Sequence, residues 1–484
     1  MSQPTRRRFV HTLASTLAAP PLGLGAASAL AADAPTAALP ALDAFFGESK
    51  FGGAILSPNG KSLAVRVSPK GEFTQLAVLD LDTLKPTVVA GFDEAGIGAL
   101  QWVNDQRLVF NLYSTYSGPG LYAVDRDGSN FRQLVEATWS FVKAPDGGVP
   151  LLPGNTYLLH SLGRQDTDEV FVVSPGEMSK EKVDYIDLRR LNTRTGRVQE
   201  VESPLHSFGW LLDAQGVLRV AVTRLKNVVA VHLRDNAGGW KKIAEYEDIG
   251  AGGIDPVFIG PDGTIYAQAP LGDKTAVFTL DPATGKLSDK PIAQSKDFDV
   301  HAGFVVNDQK LLGLRYHIDA EITQWFDADA KALQAKIDAL LPSTANRVTL
   351  PKRGGSPWVL VESFADQQPW MTQLYQRETR KLLRVGVSHP AIKPAQMGQT
   401  DFIRYKARDG LEIPAYITLP AGGVKKNLPL VVLVHGGPFL RGFSWQWDAE
   451  VQFLASRGYL VLQPEFRGST GFGSRHFRAG WKQW

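Results

Sequence analysis

The 484-residue chain contains no cysteine. That absence excludes disulfides, thiolate metal sites, a cysteine nucleophile and a lipid-modified N-terminal cysteine. An excess of one charge is also missing: 52 Lys and Arg stand against 49 Asp and Glu, and outside the N-terminus the basic residues form no run. A nucleic-acid-binding face needs clustered cations, so no nucleic-acid partner is expected. Beyond the N-terminal segment no stretch reaches the roughly 18 consecutive apolar residues of a membrane span. The 9 histidines do not pair with carboxylates at ligand spacing, so no metal and no cofactor is expected. What is present is ordinary for a globular protein, with 44% hydrophobic and 21% charged residues, and too long for one core.

The N-terminus reads as an address. Thr5-Arg6-Arg7-Arg8-Phe9-Val10 sets paired arginines, Arg6 and Arg7, ahead of a weakly apolar stretch, and Ala29-Leu30-Ala31 is a small-x-small cleavage pattern. The pattern resembles a twin-arginine signal over residues 1–32, which would hand the protein to the export machinery and make it periplasmic. A membrane anchor is the alternative. Pro20, Pro21, Gly23 and Gly25 interrupt the run, so no stable anchor is expected.

From about Phe45 to Arg384 short apolar or alternating segments recur: Leu63–Val67, Leu76–Leu81, Arg107–Leu112, Leu121–Asp125, Val170–Ser174, Val217–Val222, Thr264–Ala267 and Val277–Leu280. Asx-Gly and Thr-Gly turns punctuate them, at Asn59-Gly60, Asp127-Gly128, Thr195-Gly196, Asp262-Gly263 and Thr284-Gly285. The strand–turn unit repeats at about 40–50 residues, the length of a four-stranded blade. The expected architecture is an all-β propeller of about seven blades over residues 43–388. A large β-sandwich, or a pair of them, is the competing form. One helix interrupts the strands: Ile322–Leu341 carries a near-3.6-residue apolar stripe and ends at Pro342. It either packs between two blades or lines the central cavity.

After Pro390 the pattern changes. Asp401–Pro420 predicts a hairpin turning at Asp409-Gly410, and Leu428–Val434 predicts a strand buried on both faces of a mainly parallel sheet. The strand runs into His435-Gly436-Gly437-Pro438. Asp448 is the expected N-cap of a helix striped by Val451, Leu454 and Ala455 and stopped at Gly458. A second buried strand, Tyr459–Gln463, leads to Arg467-Gly468-Ser469-Thr470-Gly471-Phe472-Gly473. Strand, helix, strand is the opening of an α/β sheet. Two glycines at the mouth of such a strand suit acyl transfer, because backbone N–H groups must approach a developing oxyanion with no side chain between.

The Ala407–Gly410 turn, the His435–Pro438 loop and Pro464-Glu465-Phe466-Arg467 through Gly473 together resemble the prolyl oligopeptidase family, in a form similar to its acylaminoacyl-peptidase branch. The Trp325–Pro342 helix is similar to bacterial members of that branch. The resemblance implies a β-propeller followed by an α/β-hydrolase domain, here its N-terminal part over residues 389–484. Oligopeptides would be cut by a serine through an acyl-enzyme, in a cavity between the two. It also implies that Gly437 N–H serves as an oxyanion-hole donor, with Gly436 and His435 shaping the loop and Arg467 organising its surroundings. Glu465 would pair with Arg467 or touch a substrate amine. His435 precedes the oxyanion loop, so it is not the base of a Ser–Asp–His order. No serine of the chain stands in Gly-x-Ser-x-Gly, and the last residue is Trp484. By the resemblance the nucleophile, acid and base are expected beyond Trp484. The expectation is thus a peptidase chain that stops short of its catalytic triad and is inactive by itself. The alternative is a non-catalytic exported propeller that binds peptides or a partner. An esterase is a third reading, weakened by Pro438 and by the large propeller.

Overall fold

A computed structural model describes residues 39–68, 74–114, 118–137, 150–159, 165–175, 178–179, 182–183, 186–247, 253–422 and 426–483. The signal-like segment with Arg6 and Arg7 lies outside the described residues, and so does Trp484, beyond which the triad is expected. Seven antiparallel sheets of three or four strands follow one another along the chain, within residues 51–90, 96–135, 157–200, 207–247, 255–280, 303–325 and 345–387 (sheets 1 to 7). Each is a meander of neighbouring strands, the arrangement that tight glycine turns produce. The five turn glycines singled out above, Gly60, Gly128, Gly196, Gly263 and Gly285, all hold φ between 69° and 89°, a region where a Cβ is strained.

What joins the sheets is face-to-face packing. Ala64, Leu76 and Val78 of sheet 1 pack with Leu108 and Phe110 of sheet 2. Val109 and Ala123 of sheet 2 meet Val170 and Val172 of sheet 3. Phe171 and Leu188 meet Trp210 and Ala221 of sheet 4, and Val220 and Val231 meet Ile265 and Ala267 of sheet 5. Val277 packs with Leu314 and Tyr316 of sheet 6, and Trp325 with Val348 and Val361 of sheet 7. Leu360 and Leu374 of sheet 7 then return to Leu63 and Ala77 of sheet 1. The succession closes on itself through side chains, since among the described residues no strand of sheet 7 pairs with one of sheet 1. A ring of packed sheets is the arrangement of a propeller and not of a two-layer sandwich.

The helix after sheet 6 is shorter than its apolar stripe suggests. Glu321–Trp325 is the third strand of sheet 6, and helix α2 spans Ala328–Leu340, capped by Asp327, whose carboxylate accepts from Ala330 N–H. The aromatic pair Trp325-Phe326 mimics the helical period but precedes the cap. Leu333 and Ile337 pack on Val348, Val359 and Val361 of sheet 7, so α2 is a packing helix.

Residues 399–464 form a last sheet, in the order Gln399–Lys406, Glu412–Leu419, Leu460–Pro464, Leu430–Val432. The first two strands make the expected hairpin, with Gly410 at φ 86°. Leu430–Val432 runs parallel to Leu460–Pro464, and helix α3 (Ala449–Ser456) connects them. Asp448 caps α3 through Val451 N–H at 3.0 Å, and Gly458 follows its end at φ 93°. The expectation that Leu428–Val434 is buried on both faces is corrected. Only Leu430–Val432 is strand, it lies on the edge of the sheet, and Leu430, Val432 and Val434 are 53%, 52% and 62% exposed. A strand hidden on both faces needs layers above and below it; among the described residues this one has a single strand neighbour. Tyr459, likewise expected inside, is exposed.

Near the other end of the chain, helix α1 (Leu42–Phe46) packs away from the ring. Phe45 is buried with Ile392, Met397 and Trp447, and Arg457 donates to the Pro40 carbonyl at 2.7 Å.

Candidate active site

The His435–Pro438 loop leaves the exposed edge strand, and what orders it is a buried polar cluster. Glu465, at the end of the neighbouring strand, has no exposed surface. Its carboxylate accepts from Phe443 N–H at 2.7 Å and Gly442 N–H at 3.1 Å, and lies 3.3 Å from His435 Nε2. A buried carboxylate persists only when its oxygens are satisfied, and here two backbone N–H groups of one loop satisfy them, with the His435 ring alongside. The His435 ring is sandwiched by stacking on Phe466, with centroids 4.3 Å apart, and by the edge contact of Phe443. Its Nδ1 lies 2.6 Å from the Gly436 carbonyl, so that nitrogen is the donor. A Cβ at position 442 would fall 2.0 Å from the His435 ring, which is why a glycine stands there.

Gly436 and Gly437 are exposed at the rim of this cluster. Gly437 has φ 140°, and a Cβ there would press on Phe439 N at 3.2 Å. The two glycines therefore present bare backbone to solvent, with the imidazole and carboxylate behind them.

The Ser469 hydroxyl lies 3.1 Å from His435 Nε2, which superficially resembles a nucleophile and its base. Ser469 is fully buried, however, and the other ring nitrogen meets a carbonyl instead of a carboxylate, so no substrate carbonyl can reach it in this arrangement. Trp484, the position past which the triad is expected, is not among the described residues, and the site is built from residues 409–475 with the sheets beside them.

Glu465 and Arg467 do not pair, which corrects the first of the two roles weighed for Glu465. Arg467 instead holds Asp409 at 2.7 Å, tying the glycine-rich loop to the hairpin turn and keeping the Asp409 carboxyl below its usual range. Both residues lie past the strand end at Pro464, where Glu465 turns inward to the Gly442–Phe443 backbone and Arg467 reaches out to Asp409.

Sequence reading missed Arg441, three residues past Pro438. It donates to Tyr416 Oη at 3.0 Å and to the Ile318 carbonyl, and lies over the Phe472 ring at 5.1 Å. Tyr416 is fully buried and donates to the Asp319 carbonyl at 2.7 Å; burial raises its pKa. Arg441 and Tyr416 thus pin the loop to the connection between the second and third strands of sheet 6. The Ser469–Gly473 loop is pinned to sheet 5 and its flank. Lys274 donates to Phe472 O at 2.7 Å, Asp299 accepts from Gly473 N–H at 2.9 Å, and Asp273 accepts from Arg475 N–H at 2.8 Å. The only advance signal for these contacts was the density of glycine and aromatic residues in the loop. Among the described residues no group of three His, Asp or Glu is placed to hold a metal.

The fold and loops have known counterparts. No family model matches the chain. Dipeptidyl aminopeptidase BIII of Pseudoxanthomonas mexicana is 26% identical over an alignment of 507 positions, taking in 97% of this chain and 68% of that protein. Two solved structures, a prolyl endopeptidase and a puromycin hydrolase, each superpose with a TM-score of 0.61 over about nine-tenths of the chain, at 14% and 16% identity. These likenesses support a peptidase of the prolyl oligopeptidase family. Other members match more locally: dipeptidyl peptidase family member 6 of Caenorhabditis elegans is 33% identical over 150 residues. The chain spans 68% of the Pseudoxanthomonas protein and 64% of the prolyl endopeptidase.

Proposed function

We propose that this chain contributes the substrate enclosure and the oxyanion loop of an exported serine peptidase that cleaves oligopeptides through an acyl-enzyme. The observation that carries the reading is the pair of exposed glycines at 436–437, held from behind by His435 and the buried Glu465. Bare, fixed N–H groups of this kind stabilise a tetrahedral oxyanion. Gly437 N–H is the assigned donor, Gly436 and His435 shape the loop, and Glu465 and Arg467 organise it. The seven sheets are read as seven propeller blades, and residues 389–484 as the first part of an α/β-hydrolase domain, supported by the parallel strand–helix–strand unit. Residues 1–484 hold no Gly-x-Ser-x-Gly, so the reading assigns no nucleophile, acid or base among them. The twin-arginine pattern at Arg6-Arg7 supports export to the periplasm.

The test separates binding from turnover. Purified 1–484 is titrated with a set of short oligopeptides by calorimetry and incubated with chromogenic dipeptidyl and acyl-peptide anilides. Binding of peptides without hydrolysis is expected. Hydrolysis by 1–484 would mean that one of its own residues is the nucleophile, and failure to bind any peptide would remove the enclosure reading.

A further inference from the structure

The loops joining first to second strands converge on one side chain. Arg353 lies between the first two strands of sheet 7, in Lys352-Arg353-Gly354-Gly355. Its backbone N–H donates to the Pro58 carbonyl of sheet 1 at 2.8 Å. Its guanidinium pairs with Asp105 of sheet 2, lies 3.4 Å from the Asp308 carboxylate of sheet 6, and donates to the Gln165 carbonyl in the loop between the first two strands of sheet 3 at 2.9 Å. Asp105 in turn accepts from Asn59 N–H at 2.8 Å. One residue thus touches sheets 6, 7, 1, 2 and 3. In a closed ring of seven, only a group on the axis can reach five consecutive members, so Arg353 stands in the middle of the ring.

It also stands at a definite end. In a meander the connection between strands one and two lies opposite the connection between strands two and three. The second-to-third connections of sheets 5, 6 and 7 carry Asp273, Asp319 and Asp366, which bond to the Ser474–Arg475 backbone, to Tyr416 and to Thr400 respectively. The C-terminal unit therefore occupies one end of the ring, and Arg353 the other. Gly354 and Gly355 follow it with nothing within 4 Å of a Cβ at either position, so the loop is open on its outer side there.

We infer that Arg353 latches shut the mouth of the axial channel facing away from the His435–Pro438 loop, so that a peptide reaches that loop from the side of the C-terminal unit and not through the ring. The inference rests on the peptidase reading for its substrate, but not for its geometry. The partners are ionic and the loop is open on its outer side, so the latch is a contact that can open, and opening it would add a second route of entry.

The absence of native cysteine makes a clean test. Ala99 is exposed on the first strand of sheet 2, the strand that leads into the Asp105 loop, so an Ala99→Cys variant is placed to report access to the channel by its rate of reaction with a small maleimide. Adding Arg353→Met, or in a second variant Asp105→Asn, should raise that rate about tenfold. Arg219→Met, which breaks the Arg219–Asp213 pair inside sheet 4, should leave it unchanged. Hydrogen exchange should rise together in residues 57–60, 103–106, 165–168 and 307–310 of both latch variants. Equal labelling rates in parent and latch variants, or faster exchange confined to 351–355, would overturn the inference. Neither readout uses hydrolysis, so a failure of the peptidase reading would leave both results standing.

Discussion

The ring and the C-terminal sheet solve the same problem in different ways. In the ring each sheet hides its apolar faces against its two neighbours, and the last sheet hides one against the first. Every unit is covered by another unit of the same kind. The C-terminal sheet is covered on one side by α3, on which α1 packs in turn, yet its edge strand and the residues after it leave Leu430, Val432 and Val434 in water. At a little over half exposed, each such side chain forgoes roughly 1–2 kcal/mol of burial. A repeated architecture tolerates interruption because contacts are made between neighbours, whereas a mixed sheet depends on layers supplied from elsewhere.

The sharpest way to break the comparison is inside the ring. Arg107 is fully buried and binds Asp125 at 2.6 Å and the Thr193 carbonyl of the next sheet at 2.7 Å. Arg107→Met leaves Asp125 with one of its two arginines, and a loss of about 3–5 kcal/mol is expected in urea unfolding followed by tryptophan fluorescence. If the ring melts unit by unit, the loss will show as a separate early transition; if it melts as one, the single midpoint will move.

Phe45→Ala tests the other region. Phe45 is 1% exposed and stacks near Trp447 and Phe453, so removal should cost about 3 kcal/mol. Because α1 packs on the C-terminal unit, hydrogen exchange should rise in residues 389–464 and not in residues 51–90. The reverse pattern would assign α1 to the ring.

A smaller effect comes from Lys352 beside the axial latch. Burial pushes its pKa down from 10.5 to about 8. The unfolded chain keeps its proton to higher pH, so between about 8 and 10.5 the unfolded state binds more protons and stability rises with pH. The gain across that window is about 1–3 kcal/mol. It should be absent from the pH dependence of a Lys352→Met variant; an unchanged slope would show that Lys352 is not the titrating group. The smallest effect is at the open edge, where Val432→Lys should change stability by no more than about 0.5 kcal/mol while reducing self-association in light scattering.

The legible part of this protein was local. Gly60, Gly128, Gly196, Gly263 and Gly285 marked turns because left-handed φ is a property of one residue and its neighbours. Strands such as Leu121–Asp125 and the Asp448 cap followed from period and capping chemistry, which act within a few positions. The His-Gly-Gly loop was found the same way. The end of α2 was legible at Pro342 but its start was not, because Trp325 and Phe326 keep the helical period in a strand.

What no local pattern carried was the choice of partner. Composition and spacing determined that the chain makes many short strands, turns tightly between them and carries a His-Gly-Gly loop after its parallel strand. Only the tertiary structure decided that Glu465 holds His435 and the Gly442–Phe443 backbone instead of Arg467, that Arg457 reaches Pro40 across 417 positions, and that Arg353 sits on the axis. The physical reason is that a charged side chain takes whichever partners the packed chain brings within about 3 Å, and that distance is set by the tertiary fold, not by neighbours in sequence.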